Sequence, residues 1–232
     1  MNKVTKVNIW DLDGTVINSF HRVQPCLCPT TGNLDLQKYL RDACKHELVM
    51  GDTLLPLVET MKRCFNDSDS VNVIVTARTM AKSDYVFLRQ NGLRGRNGQN
   101  VRVMSRDTLA RYFPADEVKG IYSSRDAEYK RRYFQLLQAQ YPGAQFTVYD
   151  DHKGVLAVAA EMGFRVLDAE MVNDILSVGM SLIGEAIIDE HMTDDLDIDY
   201  LKEKLDFAWS CMTDEERAEY TAGTTTNKVL AA

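Results

Sequence analysis

The stretch Val4-Thr-Lys-Val-Asn-Ile-Trp10, followed directly by Asp11-Leu-Asp-Gly-Thr15, decides the fold predicted for this chain of 232 residues. Residues 4–10 are rich in β-branched and aromatic side chains, which is typical of a buried strand. The glycine at position 14 favours a turn directly after that strand. The sequence therefore predicts that Asp11 and Asp13 lie at the carboxyl end of the strand. The turn decides whether both reach one site.

Two further apolar strands also end in polar residues. Residues 71–75 lead into Thr76-Ala77-Arg78, and residues 145–149 lead into Asp150-Asp151. Strands that alternate with helical patterns predict a doubly wound parallel sheet in three α/β/α layers, and such sheets bind ligands at the carboxyl ends of their strands. The remaining predicted elements are helices over residues 36–44, 52–65, 80–90, 126–140 and 155–162, and strands over residues 101–104 and 164–167.

The chain divides into a core and an appendage. We predict a catalytic core over residues 1–168, in which residues 17–70 form an insertion that acts as a small cap. Residues 169–220 are predicted to form an acidic helical appendage, and residues 221–232 a flexible tail. The appendage helices are expected over residues 170–191, 196–209 and after Thr213. We expect them to cover the sheet, with a homo-oligomer or partner interface as the alternative.

Composition narrows the class of protein. Hydrophobic residues make up 45% and charged residues 26% of the chain, which is ordinary globular usage. The net charge of −7 is uneven, because residues 1–168 hold 23 Lys+Arg against 19 Asp+Glu, whereas residues 169–232 hold 4 against 15. A mildly basic core suits a phosphorylated ligand. Neither a membrane span nor a signal peptide is apparent, so we expect a cytoplasmic protein.

The five cysteines are expected to be reduced thiols, because their number is odd and no export signal precedes them. A zinc site built from Cys26, Cys28, Cys44 and His46 is the alternative. The Cys-x-Cys spacing is tighter than zinc sites normally use, which favours incidental or buried cysteines.

The paired aspartates suit phosphoryl transfer. Asp11 is predicted to be the nucleophile, because a carboxylate that forms an acyl phosphate divides one difficult displacement into two easier ones. Asp13 is predicted to protonate the leaving oxygen and later to deprotonate the attacking water. A hard cation, Mg²⁺ by preference, would offset the repulsion between carboxylates and phosphate. Asp150 and Asp151 are the expected carboxylate share of that metal site.

The other strand ends and one helix supply the remaining parts of the predicted site. Thr76 is expected to donate its hydroxyl to a phosphate oxygen, and the backbone at Ala77 to add N–H groups. Arg78 is predicted either to contact phosphate through its fork or to be a surface residue. Lys130 is expected to balance Asp11 and the phosphate, with Lys119 as the alternative. Asp126, one helical turn earlier, is expected to orient Lys130.

These motifs together resemble those of the haloacid dehalogenase superfamily of phosphohydrolases. The resemblance covers about residues 4–168 and rests on Asp11-Leu-Asp-Gly-Thr15, Val73-Ile-Val-Thr76, Lys130 and Val148-Tyr-Asp-Asp151. It implies that Asp11 is the nucleophile, that Asp13 is the acid and base, and that both bind Mg²⁺ together with an acidic residue of the last motif. Asp151 matches that last ligand better than Asp150 does.

A closer likeness is to the phosphatase domain of bacteriophage polynucleotide kinase-phosphatase. It rests on Val75-Thr-Ala-Arg78, Asp126-x-x-x-Lys130 and Asp150-Asp-His152, where His152 replaces an arginine of that family. The chain has no phosphate-binding loop of the kinase type. The likeness implies a magnesium-dependent phosphatase whose substrate is a nucleotide or a polynucleotide 3′-phosphate.

Two alternatives stay open at this point. One is a phosphatase for a small metabolite or a mononucleotide, or a phosphomutase-like transferase. The other is an inactive relative that binds a partner through the helices of residues 170–220.

Overall fold

The computed structural model describes residues 4–95, 98 and 100–183 of the chain. It divides into two compact units. The first comprises Met1–Cys26 with Asp35–Asn173, and the second comprises Leu27–Leu34 with Asp174–Ala232. The helices predicted over residues 196–209 and after Thr213, the flexible tail and the proposed oligomer interface lie outside the described residues.

The first unit contains a five-stranded parallel sheet with flanking helices, as the sequence predicted. The strands of the structure are β1 (Lys6–Trp10), β2 (Ile17–Asn18), β3 (Thr53–Leu54), β4 (Ser70–Val75), β5 (Arg102–Met104), β6 (Gln145–Asp150) and β7 (Arg165–Asp168). The strand order of the five-stranded sheet is β5-β4-β1-β6-β7, so the chain winds outward from β1 in one direction and then returns to wind in the other. A second, two-stranded antiparallel sheet pairs β2 with β3.

Helices and shorter helical turns connect the strands. The α-helices are α1 (Phe20–Val23), α2 (Leu36–Lys38), α3 (His46–Met50), α4 (Val58–Asn66), α5 (Lys82–Gln90), α6 (Ala115–Tyr122), α7 (Asp126–Gln140), α8 (Lys153–Glu161) and α9 (Ala169–Ile183). A π-helical segment follows α2 at Tyr39–Ala43, and 3₁₀ turns cover Gln24–Cys26 and Arg106–Arg111. Among the described residues, no helix is long and apolar enough to cross a membrane.

The central strand β1 sets the register of the sheet. It pairs in parallel with β4 and β6, and Trp10 stands in register with both Ile74 and Tyr149. The rings of Trp10 and Tyr149 stack with their centroids 3.7 Å apart. Because the three strands end at neighbouring positions, Asp11, Thr76 and Asp150 lie along one edge of the sheet.

Helix α7 supplies much of the core on one face of the sheet. Its inward positions carry large side chains that are fully buried, and the apolar face repeats at helical spacing. Those side chains are Tyr129, Tyr133, Phe134 and Leu137. Phe164, just before β7, joins this core and stacks on Phe146 at 4.6 Å. The bounds predicted for this helix from its periodicity are confirmed.

The insertion is where the predicted elements were least accurate. The helix expected over residues 52–65 begins only at Val58, because the residue before Pro56 is disfavoured in helical geometry and Thr53–Leu54 pairs with β2 instead. The helix expected over residues 36–44 ends at Lys38 and continues as a π-helical segment. Two of its apolar side chains are exposed, Leu36 at 57% and Leu40 at 50%, whereas Ala43 is buried.

Candidate active site

The turn after β1 presents the first aspartate to the strand edge. The Asp11 N–H still bonds the Tyr149 carbonyl at 2.9 Å, so Asp11 continues the sheet by one residue. The chain then folds around the Leu12 carbonyl, which accepts hydrogen bonds from three successive N–H groups at residues 15–17. Gly14 adopts a φ of 75°, a backbone conformation that other residues rarely adopt. The predicted glycine turn is therefore present.

Lys130 joins two of the carboxylates. Its ammonium nitrogen lies 2.8 Å from Asp11 Oδ1 and 2.7 Å from Asp150 Oδ2, and its side chain is only 3% exposed. Burial alone would lower the pKa of Lys130, but the two carboxylates outweigh it and the pKa lies above its usual value. Lys130 therefore stays charged. Of the two candidate lysines, Lys130 rather than Lys119 contacts Asp11.

Asp150 and Asp151 complete an acidic cluster with Asp11. One oxygen atom from each of the three carboxylates lies within 4.8 Å of the others. The second Asp150 oxygen accepts the His152 N–H at 3.0 Å, so both of its oxygens are engaged by protein donors. Three carboxylates face one ammonium, which leaves a formal charge of −2 in a largely buried site.

The electrostatics of this cluster fit a divalent cation. Burial, and then the neighbouring Asp150, raise the pKa of Asp151 to about 6. The pKa of Asp11 is also raised, mainly by burial, because Lys130 only partly offsets burial and the other two carboxylates. The Lys130 ammonium is the charged donor that contacts Asp11 Oδ1, at 2.8 Å. Oxygen ligands and excess negative charge are what Mg²⁺ sites provide.

Gly14 is required by its surroundings as well as by its backbone. A Cβ atom at this position would lie 2.4 Å from Asp151 Oδ2, closer than any real Cβ contact. The turn after β1 and the acidic pair after β6 therefore approach each other in a way that only glycine permits.

Asp13 points to a different set of partners. Its Oδ2 accepts from Arg78 Nε at 2.9 Å, its Oδ1 accepts from Arg78 Nη2, and Ser19 Oγ donates to Oδ1 at 2.5 Å. Burial would raise the pKa of Asp13, but Arg78 and Ser19 more than offset it, and the pKa lies below its usual value. The carboxylate remains 38% exposed, so it can meet a ligand.

The loop after β4 places Thr76 beside these groups. Its N–H bonds Met104 O at 3.0 Å, and its carbonyl accepts the Tyr129 hydroxyl at 3.1 Å. Its own hydroxyl oxygen accepts the Arg78 N–H at 3.2 Å, which leaves the hydroxyl hydrogen for a ligand. The Ala77 carbonyl accepts from Arg106 Nε at 3.0 Å. The backbone of this loop is thus fixed on both sides.

Three expectations from the sequence need correction. Asp126 does not pair with Lys130, because its carboxylate binds Arg106 Nη2 at 2.6 Å instead. The Asp13 carboxylate is not part of the group of carboxylates within reach of one ion, which consists of Asp11, Asp150 and Asp151, and it binds Arg78 instead. Arg78 itself is neither a surface residue nor free for phosphate. It is buried between Asp13 and Asp84.

The zinc alternative receives no support. Among the described residues, the acidic cluster is the only group of three or more potential metal ligands within reach of one another, and it contains no cysteine or histidine. The His46 ring bonds Ser83 Oγ at 2.9 Å. The four described cysteines are free thiols, as expected.

The sequence did not predict a buried charge network that joins the insertion to the segment after β4. In the insertion, Arg22 and Asp52 form a bidentate pair, and after β4 Asp84 binds the Arg78 guanidinium. The sequence could have indicated a capping role for Asp84, because an acidic residue in the first turn of a helix is a common cap. Arg22 and Asp52 are 30 positions apart in the chain, and no local sequence pattern predicts a contact between them.

The fold, the assembled carboxylates and the relatives together identify the chain as a phosphoric monoester hydrolase. The model of the family described as bacteriophage T5 5′-deoxynucleotidase matches residues 1–232, and the chain belongs to that family. It is 59% identical over 217 residues to the 5′-deoxynucleotidase of Escherichia phage T5, covering 94% of this chain and 88% of that protein.

Two solved structures show a more distant similarity to the chain. One is a hydrolase from Streptococcus pneumoniae TIGR4, with a TM-score of 0.44 and 11% identity over 72% of this chain and 93% of that one. The other is a haloacid dehalogenase-like family hydrolase from Streptococcus pneumoniae, with a TM-score of 0.46 and 12% identity over 73% and 91% of the two chains. Membership of the haloacid dehalogenase superfamily and the likeness to polynucleotide kinase-phosphatase stay predictions from the motifs.

Proposed function

We propose that the chain is a magnesium-dependent phosphatase that releases phosphate from deoxynucleoside 5′-monophosphates through an aspartyl phosphate on Asp11. The observation that carries this proposal is the buried Asp11–Lys130–Asp150 contact at the strand edge, with Asp151 beside it. The substrate class is taken from the relative that is 59% identical and named a 5′-deoxynucleotidase.

In the first step, a carboxylate oxygen of Asp11 attacks the phosphorus atom. A bond forms between Asp11 and phosphorus while the bond from phosphorus to the nucleoside oxygen breaks. The leaving alkoxide takes a proton from Asp13. The dianionic phosphate raises the pKa of Asp13 as it approaches, because a nearby like charge disfavours the carboxylate. Thr76 donates its hydroxyl to a phosphate oxygen, which orients the group for attack.

In the second step, water replaces Asp11. Asp13 takes a proton from the water molecule, the water oxygen bonds to phosphorus, and the bond from phosphorus to Asp11 breaks. Inorganic phosphate leaves and the Asp11 carboxylate is restored. Lys130 remains charged throughout and lies against Asp11, so it offsets negative charge in both steps.

A divalent cation belongs to this proposal because the acidic cluster carries excess negative charge. Asp11, Asp150 and Asp151 are the side chains that would hold it. Mg²⁺ at this position supplies charge that offsets the repulsion between the carboxylates and the phosphate. Asp150 has a second role, because its Oδ2 binds Lys130 Nζ at 2.7 Å and so helps to hold the ammonium beside Asp11.

The test is a substrate panel assayed with Mg²⁺ and with EDTA. We expect phosphate release to be fastest from deoxynucleoside 5′-monophosphates and to require Mg²⁺. Ribonucleotides, sugar phosphates and 3′-phosphorylated oligonucleotides complete the panel. Preference for the oligonucleotides would replace the substrate class with the polynucleotide 3′-phosphate that the sequence first suggested. Full activity of an Asp11→Asn variant on every substrate would overturn the mechanism.

A further inference from the structure

The insertion contains a buried ion pair that the two-step mechanism does not use. Arg22 Nε and Nη2 donate to the two oxygens of Asp52 at 2.7 and 2.8 Å. The two side chains are 1% and 0% exposed. The remaining Arg22 nitrogen, Nη1, bonds the Ala43 carbonyl and the Tyr39 hydroxyl, both at 3.3 Å. The orientation of Arg22 is therefore set by four acceptors.

Arg78 connects this ion pair to Asp13, the proposed acid and base. Asp52 Oδ2 lies 3.7 Å from Arg78 Nη2, and Asp84 Oδ1 accepts from Arg78 Nη1 at 2.6 Å. Asp52 and Asp84 thus hold the Arg78 guanidinium, and its Nε and Nη2 donate to the two oxygens of Asp13. Each residue in the series Arg22, Asp52, Arg78 and Asp13 is in ion-pair contact with the next.

The network is anchored in the two-stranded sheet of the insertion. Asp52 directly precedes β3, which pairs with β2, and Arg22 lies in α1, which closely follows β2. The Leu55 N–H also bonds the Val16 carbonyl at 3.0 Å, which fixes this sheet to the turn that carries Asp13. The pairing of β2 with β3 therefore helps to place Asp52 beside Arg78.

Stability alone is a weak reason for such a network. Replacing a buried ion pair by apolar side chains is often neutral or stabilising, because desolvation offsets the attraction between the charges. Two guanidinium groups and three carboxylates leave one excess negative charge here, and Asp13 is the member with substantial exposure. The buried members constrain the direction of that one exposed carboxylate.

We propose that Arg22 and Asp52 are positioning residues that hold Arg78, and through it Asp13, in the direction needed to protonate the leaving oxygen. The proposal rests on the proposed function, in which Asp13 is the acid and base. It assigns to the insertion a part in the chemistry, in addition to any role as a cap over the substrate.

The consequence is a loss of activity that depends on the leaving group. A nucleoside alkoxide is a poor leaving group and needs the proton from Asp13, whereas p-nitrophenolate leaves well without one. We expect Asp52→Asn to lower kcat/KM for a deoxynucleoside 5′-monophosphate on the order of 10- to 100-fold, as a small misplacement of a catalytic group does. For p-nitrophenyl phosphate the loss should stay below about threefold, because kcat/KM reports only the first step.

Asp13→Asn provides the reference, and the double variant provides the sharper test. If Asp52 acts through Asp13, adding Asp52→Asn to Asp13→Asn lowers kcat/KM on the nucleotide no further. Arg22→Lys, which keeps the charge but loses the fork, should give the same dependence on the leaving group as Asp52→Asn. Phe164→Leu is the control for lost stability, because Phe164 lies in the core beside the amino end of β7.

The outcomes separate the inference from the function it rests on. Equal losses on the nucleotide and the aryl phosphate, or additive losses in the double variant, would overturn the positioning role. The same leaving-group dependence in Phe164→Leu would also overturn it. Failure of the wild-type protein to act on deoxynucleoside 5′-monophosphates would overturn the proposed substrate only. The comparison is then made with whichever alkyl phosphate the protein hydrolyses.

Discussion

Replacing Lys130 by methionine removes the ammonium group that contacts Asp11 and Asp150 and leaves an unbranched aliphatic stem in place. Lys130 Nζ lies 2.8 Å from Asp11 and 2.7 Å from Asp150, and the side chain is 3% exposed. Methionine is unbranched and of similar length, so it fills the same volume. The substitution therefore tests the charge at this position rather than the packing.

The expected loss of stability is large. At an effective dielectric constant of about 20, each contact at this distance represents roughly 6 kcal/mol of gross attraction. Much of that is offset by the cost of burying the charges, and removal of one partner from a buried pair typically costs about 3–5 kcal/mol. We expect a reduction of that size in the free energy of unfolding of the metal-free protein at about pH 8.

The loss of unfolding free energy caused by Lys130→Met should depend on pH and on Mg²⁺. The pKa of Asp151 is raised to about 6 and that of Asp11 is also raised, so these carboxyls favour the folded state when protonated and lose that contribution as pH rises through their folded pKa values. Without Lys130 both carboxyls take up protons more readily. The loss caused by Lys130→Met should therefore be smaller near pH 5 than near pH 8, and Mg²⁺ should restore part of it.

The assay is urea unfolding at several pH values, in EDTA and in Mg²⁺. Lys62→Met is a matched control, because Lys62 pairs with Glu59 on the exposed face of α4. We expect that control to change the free energy of unfolding by less than about 1 kcal/mol. If Lys130→Met were as mild as the control at high pH, or equally costly at every pH, the charge balance described for the site would be wrong.

Three further predictions concern the same edge of the sheet. Gly14→Ala should destabilise the protein by about 1–2 kcal/mol from backbone strain, which urea unfolding measures. It should also weaken Mg²⁺ binding, measured by calorimetric titration, because the added Cβ would lie 2.4 Å from Asp151 Oδ2. Mg²⁺ affinity should rise between about pH 6 and pH 8, with protons released on binding, since the raised pKa values of Asp11 and Asp151 make protons compete with metal; a flat profile in calorimetry would contradict this. Thr76→Val should lower kcat/KM by roughly tenfold, since it removes one donor to phosphate, and should cost about 1–3 kcal/mol of stability, since the buried Arg78 N–H loses its acceptor; steady-state kinetics with a thermal melt tests it.

The sequence predicted the parts of the fold that depend on local pattern. The bounds of α7 followed from its helical spacing, and the three strands that end at Asp11, Thr76 and Asp150 followed from apolar runs that stop at polar residues. The placement of those residues along one edge also followed, because parallel strands of a doubly wound sheet present their carboxyl ends together. These features require only neighbouring residues and a general rule of topology.

The partners of the charged residues could not be predicted in the same way. The spacing from Asp126 to Lys130 satisfies the rule for helical neighbours, yet Arg106 binds Asp126 and the strand ends bind Lys130. Arg78 looked like a phosphate ligand, yet its partners are carboxylates. A long charged side chain can contact several neighbours, and its partner depends on which opposite charges the tertiary fold buries beside it.

The insertion shows the same limit for secondary structure. The apolar residues at 52–65 repeat at helical spacing, but pairing with β2 takes the first part of this segment into a strand. The competing interaction lies more than 30 residues away in the chain, so tertiary pairing overrides local propensity there. α6 at Ala115–Tyr122 was not predicted, because Gly120 lies inside this short segment and an isolated glycine weakens a helical pattern.

The central claim is that Asp11 accepts the phosphoryl group. The most direct test mixes the Asp13→Asn variant with p-nitrophenyl phosphate, quenches the reaction in acid and maps the phosphoryl group by peptide mass spectrometry. The good leaving group allows the first step, while loss of the base slows the second, so phosphoenzyme should accumulate with a burst of nitrophenol. We predict the label on the peptide that contains Asp11. A label on another peptide, or undiminished phosphate release by Asp11→Asn, would contradict the account.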